Sequence, residues 1–349
     1  MLEGIAAKRW ALACLACALV AGCGRRDAPS DSDGRALGAA LLRGLAAAAE
    51  RREPWPCASP EAEEAEEAEE ASETAPAPVA EPERWRAGPG TLTLAAVPTE
   101  LSLGFIADAG GAGQPTLAGL RRAAALLAAS KVTAVLSLGG LAADEAGIEA
   151  ALRALVSDHY LLVASPGDLE PVPAHRAAVA RLARAGARIV DGSRTRWLEL
   201  GIATVATLPG ARHLGQLSAG PDGCGFDDGA LEQTATRLGK APGLRVLAAW
   251  AAPRPDGATA ARGDLRMRQI LEQHHVELAV VGEPTGWHQN ISGSGSAKAP
   301  LHVAFTGFSD GEPRMPADGA LPSPSALLLQ VTPPGWSWRR LDLSMQPTR

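Results

Sequence analysis

Four acidic side chains, Asp108, Asp168, Glu170 and Glu283, each follow closely on an apolar run that reads as a β-strand. Carboxylates on neighbouring loops supply oxygen donors, and such a set suits a single hard cation, Mg, Mn or Ca, better than Zn. His288 lies a few residues beyond Glu283, and His213 sits on another loop of the same kind, so each is a candidate nitrogen ligand. Plainer readings stand beside these. Asp108 serves equally as a turn or helix-capping aspartate, and an unpaired loop histidine is usually structural. His274 and His275 close a helix before a strand, where solvated or dipole-facing imidazoles are the commoner case. The loop Gly110-Gly-Ala-Gly113 opens a helix and has the composition of a phosphate cradle. It lacks G-x-G-x-x-G spacing and a following acidic residue, which disfavours a dinucleotide site. Ser165, in Ala-Ser-Pro-Gly, has no nucleophile-elbow frame.

The elements that must position these residues alternate in period. Apolar runs at Leu101 to Ala107, Val132 to Leu138, Tyr160 to Ala164 and Arg188 to Val190 predict strands. Helical spacing predicts helices after Pro115, over Ala143 to Asp158 and over Pro173 to Ala185. Trp197 to Thr207 reads as a hairpin turning near Gly201. Further helices, about Asp228 to Leu238 and Gly263 to His275, lead into strands at Leu244 to Ala249 and Leu278 to Val281. Late strands follow at Leu301 to Phe308, Ala326 to Thr332 and Trp336 to Leu343. Repeated β-α units followed by hairpins predict an α/β fold of α+β character, with a mixed sheet or two sheets face to face, flanked by helices.

The strand-end loops together resemble those of the calcineurin-like metallophosphoesterases. That family carries D-x-H, G-D, G-N-H-[DE], an isolated H and G-H-x-H in this order. Here the places read Asp108-Ala-Gly110, Gly139-Gly140, Gly167-Asp168-Leu169-Glu170, Trp250 and Gly282-Glu283-Pro284-Thr285. The resemblance covers about residues 100 to 290 and implies a β-sandwich of mixed sheets flanked by helices. It implies a cleft lined by Gly110, Gly140, Leu169, Glu170, Trp250, Thr285 and His288, with Asp108, Asp168 and Glu283 as the surviving candidate metal ligands. The departures are chemical. Two-metal hydrolysis needs ions about 3.5 to 4 Å apart, each held by several fixed N or O ligands. Gly110 and Gly140 stand where the family has a histidine and the bridging carboxylate, and Leu169 stands where its histidine assists the leaving group. Trp250, Glu283 and Thr285 replace further histidines. Glycine and leucine cannot ligate, and tryptophan offers only an N–H donor.

Before this domain the chain is of another kind. Lys8 and Arg9 precede an apolar run, Trp10 to Val20, of signal-peptide length. Leu19-Val20-Ala21-Gly22-Cys23 resembles a bacterial lipobox, which implies cleavage before Cys23 and diacylation of its thiol. Gly24 follows, without the aspartate that retains many lipoproteins in the inner membrane, so the outer membrane is expected. Acyl chains contribute about 0.8 kcal/mol per buried methylene, enough for stable anchoring by several chains. The organisation expected is a signal peptide over 1–22, a lipidated start with a short helix over 23–52, an acidic Pro-rich linker over 53–89, and the domain over 90–349. Cys57 and Cys224 remain after processing; the envelope permits their pairing, and spacing leaves it open.

The formal charge of -6 is concentrated in the run Glu61 to Glu70, and no basic face points to nucleic acid. The expected partners are the membrane, through Cys23, and an envelope protein or small ligand. Two functions follow: an accessory or binding protein on a metallophosphoesterase-like fold whose dinuclear site is largely lost, or a metal-dependent hydrolase with a rebuilt carboxylate site.

Overall fold

A computed structural model of the chain describes residues 55–57, 84–212, 217–254, 263–282, 292–294, 301–305, 325–333 and 335–343. The expected signal peptide, Cys23, the short helix expected within 23–52 and most of the acidic stretch lie outside them, as do His213, Glu283, Thr285 and His288.

Two mixed seven-stranded sheets lie at the centre. In chain order the strands are β1 (Trp55–Pro56), β2 (Trp85–Gly88), β3 (Thr91–Leu94), β4 (Leu101–Ile106), β5 (Ala134–Ser137), β6 (Leu161–Ala164), β7 (Ile189–Asp191), β8 (Trp197–Glu199) and β9 (Ala203–Leu208). They continue as β10 (Cys224–Gly225), β11 (Leu244–Ala249), β12 (Leu278–Val281), β13 (Ser292–Ser294), β14 (His302–Phe305), β15 (Ser325–Thr332) and β16 (Gly335–Asp342). The helices are α1 (Gln114–Ala129), α2 (Glu145–Leu155), α3 (Val172–Arg184), α4 (Asp228–Gly239) and α5 (Leu265–Gln273). One sheet runs β14-β12-β11-β9-β8-β3-β2 and the other β13-β16-β15-β4-β5-β6-β7, while β1 and β10 form a separate parallel pair.

The reason for this layering is visible in which residues are buried together. Leu103, Phe105, Leu136 and Val163 of one sheet share a core with Leu198, Val205, Val246 and Val280 of the other. The opposite face of the first sheet is covered by Leu120, Leu127, Ile148, Leu152 and Leu182 from α1, α2 and α3. Leu231, Leu238, Met267 and Ile270 from α4 and α5 cover the second. Strands buried on both faces must be apolar throughout, which is why β6 and β12 read as unbroken runs. Each fully buried Leu, Ile or Val side chain contributes roughly 1.5–3 kcal/mol relative to exposure.

Helix starts are set by side chains rather than by the apolar stripe alone. Asp144 accepts the Gly147 N–H at 2.8 Å, Asp227 the Ala230 N–H at 2.8 Å, and Asp264 the Met267 N–H at 2.8 Å. Asp144 and Asp264 are therefore caps outside their helices, and α2 and α5 begin about two residues later than periodicity predicts. The hairpin at Gly201 is present as antiparallel β8 and β9.

Described residues before position 90 pair with the domain in two places. Trp85, only 2 % exposed, begins an edge strand whose residues pair with β3, so the sheet starts before residue 90. Farther back, β1 pairs with β10, and Cys57 is disulfide-bonded to Cys224 with Cα atoms 5.6 Å apart. Both cysteines are buried beside Val172 at the start of α3. Among the described residues, no helix is long and apolar enough to cross a membrane.

Candidate functional site

In sheets with parallel β-α units, ligands meet the protein at the carboxyl ends of the strands. At that edge hydrogen bonds join the loops leaving β4, β5 and β6, and Gly282, directly after β12, donates its N–H to the Ala249 carbonyl at 3.0 Å. The Asp108 N–H donates to the Gly139 carbonyl at 2.8 Å and the Gly110 N–H to that of Gly140 at 2.9 Å. Asp108 is partly buried and takes a left-handed φ of 54°, uncommon for a residue with a side chain. Gly139 and Gly140 opposite it have φ of 93° and 72°, where only glycine sits without strain.

Glu170 binds the β5 and β6 loops together. Its carboxylate accepts the N–H groups of Gly140 at 3.1 Å, Gly167 at 2.8 Å and Leu141, and the residue is fully buried. Burial pushes its pKa up from the ordinary value, opposed by these amide bonds. Its oxygens point at backbone inside the loop junction, whereas the sequence reading sets it among the cleft-lining residues. Sequence could not separate the two, because an acidic residue closing Gly-Asp-Leu-Glu looks the same in either role.

Trp250, directly after β11, fills the remaining space. A Cβ on Gly167 would lie 2.7 Å from the Trp250 Cδ1 and 2.8 Å from the Gly140 nitrogen. A Cβ on Gly282 would lie 2.6 Å from the Ala107 Cβ and 3.3 Å from the same Cδ1. The indole is thus wedged between the β6 loop and Gly282, and among the described residues its buried Nε1–H has no hydrogen-bond partner. Asp168 turns aside: its carboxylate accepts the Ser218 hydroxyl at 3.1 Å and its carbonyl the Ala219 N–H at 2.9 Å. Leu169 is partly buried, and Gly110 is exposed with open space around it. Beyond β9, Arg212 joins Asp228 at the head of α4 to Asp264, the cap of α5.

A two-metal centre does not fit the described residues. Among them, no three of His, Cys, Asp and Glu gather into a group able to hold a metal ion. Position 140 is closed to side chains by backbone: a Cβ on Gly140 would lie 2.8 Å from the Asp108 Cα. His274, at the end of α5, pairs instead with Glu232 at 2.6 Å.

No protein-family model matches the chain, and no curated protein matches it. Among solved structures, it is similar to GAP50, the anchor in the inner membrane complex of Plasmodium, at 11% identity over 71% of this chain and 86% of that one, with a TM-score of 0.46. It is similar to a dimetal phosphatase from Danio rerio at 11% identity over 70% and 99% of the two chains, TM-score 0.42. The purple acid phosphatase PPD1 from yellow lupin seeds shares 9% identity over 73% of this chain and 54% of its own, TM-score 0.44.

Proposed function

We propose that this chain is a lipid-anchored protein of the bacterial cell envelope, held through Cys23, whose domain is metallophosphoesterase-like with its dinuclear site largely lost. It acts as a binding or accessory protein at the strand-end edge, toward an envelope protein or small ligand, and not on nucleic acid. One observation carries this reading: the Gly139, Gly140 and Gly167 backbones approach one another so closely that side chains are excluded, and Trp250 occupies the gap between Gly167 and Gly282. Catalysis by two metals needs that volume for ligands, ions and a phosphoryl group.

The test is hydrolysis of phosphomonoesters and phosphodiesters by the full-length chain with added Mg, Mn, Ca or Zn, beside Asp108→Ala. No metal-dependent turnover above the Asp108→Ala background is expected. Robust turnover that Asp108→Ala abolishes would promote the hydrolase with a rebuilt site drawing on Asp108, Asp168, Glu283 and one divalent cation. Anchoring is tested separately: Cys23→Ser should accumulate unprocessed precursor without acyl label, and a labelled, processed Cys23→Ser protein would remove the lipoprotein reading.

A further inference from the structure

The disulfide and the first two strands redefine what lies between the anchor and the domain. Cys57 is fixed to Cys224, which is buried with no exposure, and β1 is paired to β10. Trp85 is fixed at the other end by β2 in the main sheet. Residues 58–84, which carry the glutamate run, therefore leave the domain and return to it. We propose that this acidic stretch is a closed loop on the domain and no part of the tether, and that the Cys57–Cys224 bond is the clasp holding the N-terminal chain to the body. The tether is then residues 24–54, spanning at most roughly 110 Å at about 3.5 Å per residue. Opening the clasp transfers the loop into it and extends the limit to roughly 210 Å.

Opening is a two-electron step. A thiolate of a dithiol reductant attacks one sulfur, the Sγ–Sγ bond breaks through a mixed disulfide, and the reductant closes to its own disulfide. Cys57 and Cys224 are left as thiols, the two protons coming from the reductant and water exchange.

That the clasp acts on a lipid tether rests on the proposed acylation of Cys23; the covalent connection does not. The full-length protein with a sequence-specific protease site inserted between Ser72 and Glu73 separates the two. After complete cleavage, a non-reducing gel should show one band and a reducing gel two, and the domain should stay in the detergent phase until dithiothreitol is added. Cys57→Ala should release the domain on cleavage without reductant. Two fragments on the non-reducing gel, or release of the domain before reduction, would overturn the clasp. If the uncut chain fails to enter the detergent phase, the lipid reading fails, while the two gels still decide whether the loop is closed.

Discussion

The Glu170 carboxylate lies 3.1 Å from the Gly140 amide nitrogen although the residues are thirty apart in sequence, and neither is reached by solvent. A buried acceptor shared by several amides is costly to remove, because each orphaned N–H loses its partner without gaining water. Glu170→Ala should therefore lower unfolding stability by about 3 kcal/mol or more, read as a shift of the urea midpoint at unchanged slope. Glu170→Gln presents an NH2 group to an N–H donor and should recover only part of the loss. A midpoint unmoved by Glu170→Ala would show that the carboxylate does not join the loops.

A contrast between glycines measures how tightly the strand-end edge is packed. A Cβ on Gly139 would sit 2.1 Å from the Gly167 nitrogen, whereas nothing lies within 4 Å of one on Gly110. Both have positive φ, so both substitutions carry backbone strain of about 1–2 kcal/mol. Gly139→Ala adds a backbone collision and should cost roughly 3 kcal/mol more or prevent folding, while Gly110→Ala should fold normally. Equal midpoints for the two variants would contradict the closed edge.

His175 gives the fold an acid-sensitive element. It faces the sheet from α3 with no exposure, and burial holds its pKa below the ordinary 6.5, against the pull of Asp191 and with help from Arg176. The folded protein thus binds fewer protons than the unfolded chain as pH falls through that range. Its contribution is intact above about pH 6.5 and is lost on acidification toward the depressed folded value. Glu170 acts with opposite sign, since its raised pKa makes ionisation unfavourable as pH rises. Between about pH 7.5 and about pH 5, His175→Leu should flatten the decline of stability seen with the parent chain. Midpoints of the parent and His175→Leu that change in parallel over this interval would contradict the assignment.

Reduction should also weaken the fold itself. The Cys57–Cys224 bond closes a sequence separation of 167 residues, and cross-links over long loops contribute about 2–5 kcal/mol. The melting temperature should fall on adding dithiothreitol to the parent chain and stay constant for Cys57→Ala.

The layered fold was legible wherever a strand is buried on both faces, as in Leu244 to Ala249, or a helix buries one stripe, as in Leu117, Leu120, Ala124 and Leu127. β2 was not legible, because Trp-Arg-Ala-Gly buries only its first residue and lies against a Pro-rich tract. β1 and β10 are two residues each and exist through a tertiary cross-link that no local pattern encodes. At the site, the glycines at 139, 140 and 167 were legible as turn residues, and glycine is needed where backbones touch. The orientation of Glu170 and the wedging of Trp250 depend on neighbours contributed from distant loops, which spacing does not carry.

The close approach of Gly140 to Asp108 also bears on what position 140 can accept. An aspartate there would need its Cβ 2.8 Å from the Asp108 Cα and a φ near 72°, so it would disrupt the loop before it offered an oxygen. Seating a larger side chain requires the β4 and β5 loops to part first, and parting them strands the amides that Glu170 satisfies. Position 140 is thus doubly locked, by contact and by backbone conformation, and relieving one constraint leaves the other in force.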